Sequence, residues 1–492
     1  MLPRGRRAHP VPPEGGWMRN GRYWLQTLGC PKNQVDSEKL AGLLEADGFV
    51  PSTDPGDADL VVVNTCAFID DARRESIDAI LELADSRRRG ARLVVTGCLA
   101  ERYGDELAAA LPEVDLVAGF GRQPVPPALP RLAPAGAKVE LRARRPVRSA
   151  GSAGSTPSTS DSFDLLSLPR PPSRAPWAYV KVAEGCDRRC GFCAIPSFRG
   201  PQRSRTPAEI LAEVRRLASD DTMPVKEVVL VAQDLASYGK DRAAGPGRVR
   251  DVGREAPLVP LVRSVADVVA RTRLLYLYPS GLTGELVDAV LATGVPYFDL
   301  SLQHVSRPLL ARMRRWGDGE RFLERIAAIR RAEPLATFRS SFILGYPGET
   351  EEDHDALLGF LEAAQLDWAG FFTFSREDGT FADRLAEQVP GELALERLRE
   401  CAELQDAITA RRRDQLVGEV REVLVEAPGR GRTVHEAPEI DGVVRLPASV
   451  PVGSLTDVVL IASLGTDLVG ELAATVGRDA PGAAPVSAEA GR

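Results

Sequence analysis

Six of the seven cysteines in this 492-residue sequence fall into two groups of three. The tighter group is Cys186-Asp-Arg-Arg-Cys190-Gly-Phe-Cys193, with the spacing C-x3-C-x2-C. Three thiolates on one short loop can hold three irons of a [4Fe–4S] cube, which leaves the fourth iron without a protein ligand. Such an iron can chelate the amino and carboxylate groups of S-adenosylmethionine (SAM) and place its sulfonium beside the cluster. One electron then cleaves the S–C5′ bond and releases a 5′-deoxyadenosyl radical, while the protein supplies position and a dry pocket. The competing reading is a zinc knuckle. Zinc motifs usually pair two C-x2-C units or add histidines, and no fourth ligand sits nearby in the sequence.

The second group is dispersed: Leu28-Gly29-Cys30, Asn64-Thr65-Cys66 and Thr96-Gly97-Cys98. Each cysteine directly follows an apolar run that reads as a strand, namely Tyr23–Leu28, Leu60–Val63 and Leu93–Thr96. Helical patterns at Ser37–Asp47 and Ala72–Ala84 alternate with these runs, which implies parallel βαβ units. Ligands in open parallel sheets gather beyond the C-terminal strand ends, so residues more than thirty positions apart can share one centre. A lone thiol is often only a small buried hydrophobe; three repeats of one local pattern point to a second three-cysteine cluster. Cys401, on a helix with no partner, reads as core. Histidine is rare (His9, His304, His354, His435), so a metal centre here is expected to be thiolate-rich.

The elements that must position these groups follow from the same alternation. Residues 21–134 read as an α/β cluster domain behind a leader at 1–20, and 135–171 as a Pro/Ala/Ser-rich linker. From 172 to 403, strands are expected at Tyr179–Val182, Glu227–Val231, Leu274–Tyr278, Tyr297–Leu302, Thr337–Leu344 and Trp368–Phe374. Helices between them include one opened by the capping box Thr206-Pro207-Ala208-Glu209. Six β/α units suit an incomplete (β/α)6 barrel, with a loop at Lys240–Arg254. Short strands from 405 to 475 suggest a small antiparallel β-barrel, followed by a tail at 476–492. Chemistry in such barrels collects at the C-terminal strand ends. Gln233-Asp234, Gln303-His304, Gly345-Tyr346-Pro347-Gly348 and Ser375-Arg376 lie there, and Gln233, Gly345 and Pro347 are the candidate SAM contacts.

Composition narrows the class. A net charge of −7 argues against a chain that wraps nucleic acid by bulk electrostatics. No apolar run approaches the ~20 residues of a membrane span, and the Arg/Pro-rich first twenty residues lack the apolar core of a secretion signal. A cytoplasmic protein is the expectation.

With both cysteine trios in view, the sequence resembles the methylthiotransferase family of radical SAM enzymes over roughly 21–475. The resemblance implies an N-terminal cluster domain, a radical SAM barrel and a C-terminal TRAM domain. It matches Cys30, Cys66 and Cys98 to an auxiliary [4Fe–4S] cluster, and Cys186, Cys190 and Cys193 to the SAM cluster. It further implies one SAM as methyl donor, a second as radical source, and an unidentified one-electron donor. Leu28-Gly-Cys-Pro-Lys-Asn-Gln-Val-Asp-Ser37, Cys66-Ala-Phe-Ile69, Phe374-Ser-Arg-Glu-Asp-Gly-Thr380 and Ala437-Pro-Glu-Ile-Asp-Gly442 are similar to the branch that modifies the β-carbon of an aspartate in a small-subunit ribosomal protein (S-twelve). Glu439 and Asp441 are the candidate substrate contacts. Acidic residues outnumber basic ones after Arg413, which suits a basic protein partner better than RNA. The nearest alternative is the branch that methylthiolates adenosine in transfer RNA; a zinc-stabilised RNA-binding protein is the alternative of another class.

Overall fold

The computed structural model describes residues 21–122, 164–243 and 256–473. The expected leader, the expected linker as far as residue 163, the expected loop beyond residue 243 and the tail lie outside the described residues. The chain divides into two compact units. Residues up to Leu28, Ser37–Cys66 and Arg74–Arg170 form the first. Gly29–Asp36, Ala67–Arg73 and the chain from Pro171 onward form the second. Two short segments that directly precede or follow first-unit strands, one of them carrying Cys30, thus belong with the second unit.

The first unit is a parallel sheet. Its strands are β1 (Arg22–Thr27), β2 (Val50–Pro51), β3 (Leu60–Thr65), β4 (Arg92–Gly97) and β5 (Leu116–Ala118), in the order β2-β1-β3-β4-β5. Helices α1 (Pro31–Ala46), α2 (Asp70–Ser86) and α3 (Cys98–Ala110) make the crossovers. Every residue of β3 is buried, as an unbroken apolar run in a sheet covered on both faces must be. Helix α1 begins at Pro31, six residues before the expected Ser37, because Pro31 occupies the first helical turn, where no amide is needed.

The second unit contains six parallel strands: β6 (Trp177–Lys181), β9 (Glu227–Val231), β10 (Arg271–Leu274), β11 (Tyr297–Gln303), β12 (Thr337–Leu344) and β13 (Trp368–Thr373). They form two three-stranded sheets, β10-β9-β6 and β11-β12-β13, joined by a parallel bridge between Leu277 and Leu300. This is the expected incomplete barrel. Between β6 and β9 lie β7 (Ala183–Glu184), α4 (Ile195–Arg199), β8 (Arg203–Ser204) and α5 (Pro207–Ala218). The Thr206/Glu209 capping box forms as expected. Further along come α6 (Lys240–Ala243), α7 (Leu258–Ala266), α8 (Gly284–Ala292), α9 (Arg307–Arg312), α10 (Gly319–Ala332), α11 (Glu351–Ala364) and α12 (Gly391–Asp414). Alternate strand residues such as Val180, Val228 and Leu230 pack on helices α5 and α7, and their neighbours Tyr179, Val229 and Val231 face the inside of the arc.

β10 lies at Arg271–Leu274, three to four residues before the expected Leu274–Tyr278. The strand is Arg-Thr-Arg-Leu, wholly buried, and its two arginines disguise it. Arg273 Nε meets Glu227 Oε1 at 2.7 Å, and Arg271 Nη1 donates to the Arg432 carbonyl at 3.0 Å.

The C-terminal domain is a closed barrel of β14 (Val420–Ala427), β15 (Arg430–Arg432), β16 (Val444–Arg445), β17 (Leu455–Leu464) and β18 (Asp467–Leu472). It is not purely antiparallel as expected, since β16 and β18 pair in parallel. Its segment 432–441 is bonded by all six strands of the arc. Tyr179 Oη donates to the Pro438 carbonyl at 2.8 Å, and Arg432 meets Glu227 at 3.1 Å. Arg273 Nη1 donates to the Val434 carbonyl at 3.0 Å, Tyr297 Oη to Asp441 Oδ2 at 2.6 Å, and Trp368 Nε1 to the His435 carbonyl at 3.0 Å. Thr337 Oγ1 lies 2.8 Å from His435 Nδ1.

Burial lowers His435 to about 4 and His304 to about 4, so both rings are neutral in the fold at pH 7. Unfolded imidazole protonates near pH 6.5. The unfolded state therefore binds the extra protons between pH 6.5 and 4, and stability present above that window is lost as pH falls through it. We expect His435→Gln to flatten this acid limb by up to about 1.4 kcal/mol per pH unit, read from urea melts at pH 7, 6 and 5.

Candidate metal and SAM site

The Cys186 loop is shaped by backbone contacts. Gly185 has φ +80°, and a Cβ there would lie 2.2 Å from the Pro201 carbonyl oxygen, so only glycine admits the close return of the chain. The antiparallel pair β7–β8 brackets the loop, and the Cys186 amide donates to the Gly200 carbonyl at 3.1 Å. Gly191 is pinned on both sides. Its amide donates to the Met313 carbonyl at 2.8 Å, and its carbonyl accepts from Ala382 at 2.8 Å. Arg315 Nη1 lies 3.2 Å from Cys190 Sγ.

Three thiols thus share an eight-residue loop at the C-terminal side of β6. Burial pushes Cys186 up to about 11 and Cys193 up to about 12. Their protons leave only when a strong electrophile such as iron takes their place. None of the seven cysteines forms a disulfide. Among the described residues no three His, Cys, Asp or Glu side chains crowd closely enough to hold a single metal ion. A soft, all-thiolate donor set on one loop fits an iron–sulfur centre.

Next to the loop, the end of β9 provides unused acceptors. Gln233 Nε2 donates to Glu184 Oε1 at 2.6 Å, while Gln233 Oε1 is buried with no hydrogen-bond partner. Asp234 Oδ2 accepts from Arg188 Nε at 2.7 Å, and its Oδ1 is likewise buried and unmatched. Buried acceptors without donors are costly; an ammonium or hydroxyl of a bound ligand such as SAM would satisfy them. Gly345 has a different local role. At φ +74° its amide donates to Glu349 Oε2 at 2.6 Å, and a Cβ would meet Ala394 Cβ at 2.5 Å. The Pro347 carbonyl accepts from Arg312 Nη1 at 3.4 Å. His304 takes the Ser306 amide on Nδ1 at 3.1 Å, and its Nε2 is buried without a partner.

The dispersed cysteines divide between the units. In the first, Cys66 and Cys98 follow the adjacent strands β3 and β4, whose ends pair Thr65 with Gly97. Gly97 has φ +92°, and a Cβ would lie 2.3 Å from Asn64 Oδ1, which fixes glycine before Cys98. Ser76 Oγ accepts the Cys66 amide at 3.0 Å. In the second unit, Cys30 opens α1, and its carbonyl accepts the Asn33 amide at 2.8 Å. Burial alone would raise its thiol. Lys32, Arg199 and the amides of Asn33 and Lys32 outweigh that and hold it below its ordinary value.

A buried charge network fastens this Cys30 segment to the strand that leads into the Cys186 loop. Lys181, the last residue of β6, is bonded to Asp36, and its Nζ lies 2.6 Å from Glu184 Oε2. Arg199 Nη1 meets Glu184 Oε2 at 2.9 Å and Asp36 Oδ2 at 3.3 Å; its Nη2 donates to Asn33 Oδ1 at 2.6 Å. Two carboxylates and two cations balance. Burial alone would raise Glu184 and lower Lys181, but the opposed charges hold Glu184 below and Lys181 above their ordinary values.

Comparison with known proteins agrees with this layout. Family models match residues 22–119 (described as Uncharacterized protein family UPF0004), 180–361 (Radical SAM superfamily) and 417–473 (TRAM domain). A Nocardioides protein called "Ribosomal protein uS12 methylthiotransferase RimO" is 42% identical over 471 residues, covering 90% of this chain and 95% of its own length. Proteins of the same name from Cutibacterium acnes (43%, covering 90% of this chain and 96% of that one) and Moorella thermoacetica (42%, 92% and 99%) match alike. This chain belongs to the RimO family of radical SAM methylthiotransferases. As a member of that family it works with SAM and an iron–sulfur cluster, and the zinc-stabilised alternative falls. Among solved structures, the cobalamin-dependent radical enzyme OxsB is 11% identical with a TM-score of 0.41, over 79% of this chain and 56% of that one; so loose a likeness decides nothing.

In this RimO-family chain the motif Ala437–Gly442 lies in the seam just described. Asp441 Oδ2 accepts from Tyr297 and from the Ala437 amide at 2.8 Å, and Arg339 Nε lies 3.5 Å from Oδ1. Burial pushes Asp441 up to about 6. Glu439, at φ +66°, is exposed. Part of the acidic excess is internal, because Glu436 pairs with Arg413, and Glu426 with Arg432. Sequence reasoning missed Lys32, Glu184, Arg188, Arg199, Tyr276, Tyr278 and Arg315. Lys32, Arg188 and Arg199 stand within six residues of a proposed ligand, a signal that was available; Arg315 gave none.

Removing one carboxylate from the network leaves Lys181 and Arg199 sharing the other. Asp36→Ala is expected to destabilise the chain by roughly 3–5 kcal/mol in urea melts. Adding Lys181→Ala should recover part of that loss, as a double-mutant cycle would register.

Proposed function

We propose that this chain adds a methylthio group to the β-carbon of an aspartate in ribosomal protein uS12, using one SAM as methyl donor and a second as radical source. The names of relatives at about 40% identity over nearly the whole chain support this. The observation that carries the reading is the charge network, which ties the Cys30 segment to the strand entering the Cys186 loop. Sulfur donor and radical must act on one carbon, so their ligand segments need a fixed relation.

In this reading Cys186, Cys190 and Cys193 hold the SAM cluster, and Cys30, Cys66 and Cys98 a second [4Fe–4S] cluster. The first cluster, when bound, supplies the electron that cleaves SAM; an external one-electron donor must replenish it. Arg315 neutralises thiolate charge at Cys190. Gln233 and Asp234 offer acceptors to SAM, with Gly345 and Pro347 forming the turn beside it. Glu439 offers an exposed carboxylate to the basic ribosomal protein, and Asp441 holds that motif in position. Among the described residues no helix is long and apolar enough to cross a membrane.

Three outcomes follow. Reconstituted protein should carry about eight irons per chain; four would remove the second cluster. Cys186→Ala should abolish 5′-deoxyadenosine formation, whereas Cys30→Ala should lose product but keep some SAM cleavage. Mass spectrometry of uS12 should find ~46 Da missing in cells lacking this chain (the mass of CH₂S, by arithmetic). Modification of transfer RNA alone by purified enzyme would sink the assignment.

A further inference from the structure

The loop after α9 sends neighbouring side chains to opposite sides. Arg314, at φ +56°, is exposed. Arg315 turns inward to Cys190 Sγ, and Trp316 is again outside, 42% exposed. A positive φ is strained for any side chain but glycine and persists only where the surroundings impose it. Here it lets one turn serve both the thiol and the surface. Arg314 stacks on Phe381, with its Cζ 3.9 Å from the ring centroid, and makes no ion pair among the described residues. Phe381 is itself 37% exposed. Its ring lies against the residue next to Cys190, since a Cβ on Gly191 would meet Phe381 Cδ1 at 3.2 Å.

Trp316 borders a cavity of about 340 Å³, lined also by Leu282, Leu300, Phe322, Arg321 and Arg325. Arg321 Cζ lies 5.8 Å from the Trp316 ring centroid. From Arg307 to Arg325 the chain carries six arginines against Asp318, Glu320 and Glu324. Of the other acids close by, Glu387 is paired with Arg312 and Asp383 with Arg376. The face beside Cys190 is therefore cationic in balance, with two exposed aromatic rings and an apolar socket.

We propose that this face, centred on Arg314, Trp316 and Phe381, docks the one-electron donor, and that the donor is a small acidic redox protein. This deepens the function proposed above and rests on it. One electron leaves the reduced centre of the donor and enters the iron–sulfur centre held by the Cys186 loop. The donor is oxidised by one electron, the centre is reduced by one, and no bond or proton changes in the handover. Electron tunnelling decays steeply with distance, so the donor must sit where the protein layer over a ligand is thin, and the contact of Phe381 with Gly191 provides such a place. Positive charge steers an acidic carrier to it, and the cavity beside Trp316 takes an apolar side chain as anchor. The basic substrate protein is repelled by the same charges.

The test uses the full-length reconstituted enzyme and an acidic [4Fe–4S] ferredoxin as probe. Equilibrium binding is read by the anisotropy of dye-labelled ferredoxin. Formation of 5′-deoxyadenosine is driven either by reduced ferredoxin or by dithionite, a small reductant that needs no docking. Reversing charge in the double variant Arg314→Glu, Arg321→Glu should weaken ferredoxin binding at least about tenfold at low salt and raise the ferredoxin KM alike. Iron content and the dithionite-driven rate should stay unchanged, and wild-type affinity for ferredoxin should fall as salt rises. Unaltered ferredoxin affinity and KM in the double variant would overturn the proposal. So would a wild type that cleaves SAM with dithionite yet neither binds ferredoxin nor takes electrons from it. Weaker binding of a ribosomal RNA fragment by the double variant, with ferredoxin affinity intact, overturns it and assigns the arginines to RNA. Should the double variant fail to hold iron, wild-type ferredoxin affinity that ignores salt overturns it. Wild type that leaves SAM uncleaved even with dithionite overturns the parent function as well.

Discussion

The second unit depends on a constraint of electrostatics: four charges at the end of β6, buried together, must remain in balance. Lys181, Asp36, Glu184 and Arg199 are each at most 12% exposed as side chains. Ions so placed forfeit hydration, and mutual pairing returns it only when each is fully matched. The set therefore tolerates one arrangement, in which residues 33–36 of α1, strand β6 and helix α4 meet. A hydrophobic contact of similar area would permit sliding. Charge pairing with defined hydrogen bonds does not, and it fixes the start of α1, hence Cys30 and Lys32, relative to the loop of Cys186. Gln233 joins the same set through Glu184, leaving its carbonyl oxygen unmatched toward the neighbouring space.

A second buried set works at the opposite end of the strands. Glu227 accepts from Arg273 and Arg432, and burial, which would raise it, is outweighed so that it stays near 2. With Tyr179, Tyr297, Thr337 and Trp368 it gives the arc a polar floor built from the C-terminal barrel segment. An open barrel of six strands has no closing pair to complete its interior. Here segment 432–441 fills that end, which is why a domain of short strands is bonded so densely to a parallel barrel.

The parts legible in the sequence were those that obey periodicity or spacing. β9 and β12 appear at the expected residues, β9 because its apolar run Val228–Val231 admits one reading, and the capping box at Thr206 marked α5 to the residue. The cysteine triplet announced its own chemistry. The failures share a cause: buried charge. Arg271 and Arg273 hid β10, since arginine in a strand suggests surface until its partners, 46 to 161 residues away, are known. Asp441 stood beside Glu439 as a candidate substrate contact through the motif's resemblance; its side chain is buried, and its partners Tyr297 and Arg339 come from strands far off in sequence. The division of the N-terminal segments between units was equally invisible, as it depends on long-range ion pairs and not on local pattern.

Buried pairing also sets the electrostatics of the C-terminal domain. Glu436, Glu426 and Asp441 are neutralised inside, and Arg432 and Arg413 with them. What remains exposed is Asp414, Glu419, Glu422, Glu439, Asp457 and Glu471 against Arg430 and Arg445. Removing the internal pairs therefore leaves the outward excess of negative charge intact. Such a surface repels a phosphate backbone and attracts a basic protein, by fields that act over about a Debye length, ~8 Å at physiological salt. A barrel that clamped RNA would need the opposite sign on this face. The proposal of a protein partner thus has physical support separate from any likeness of sequence, in the charges the fold leaves outside after it has matched those within.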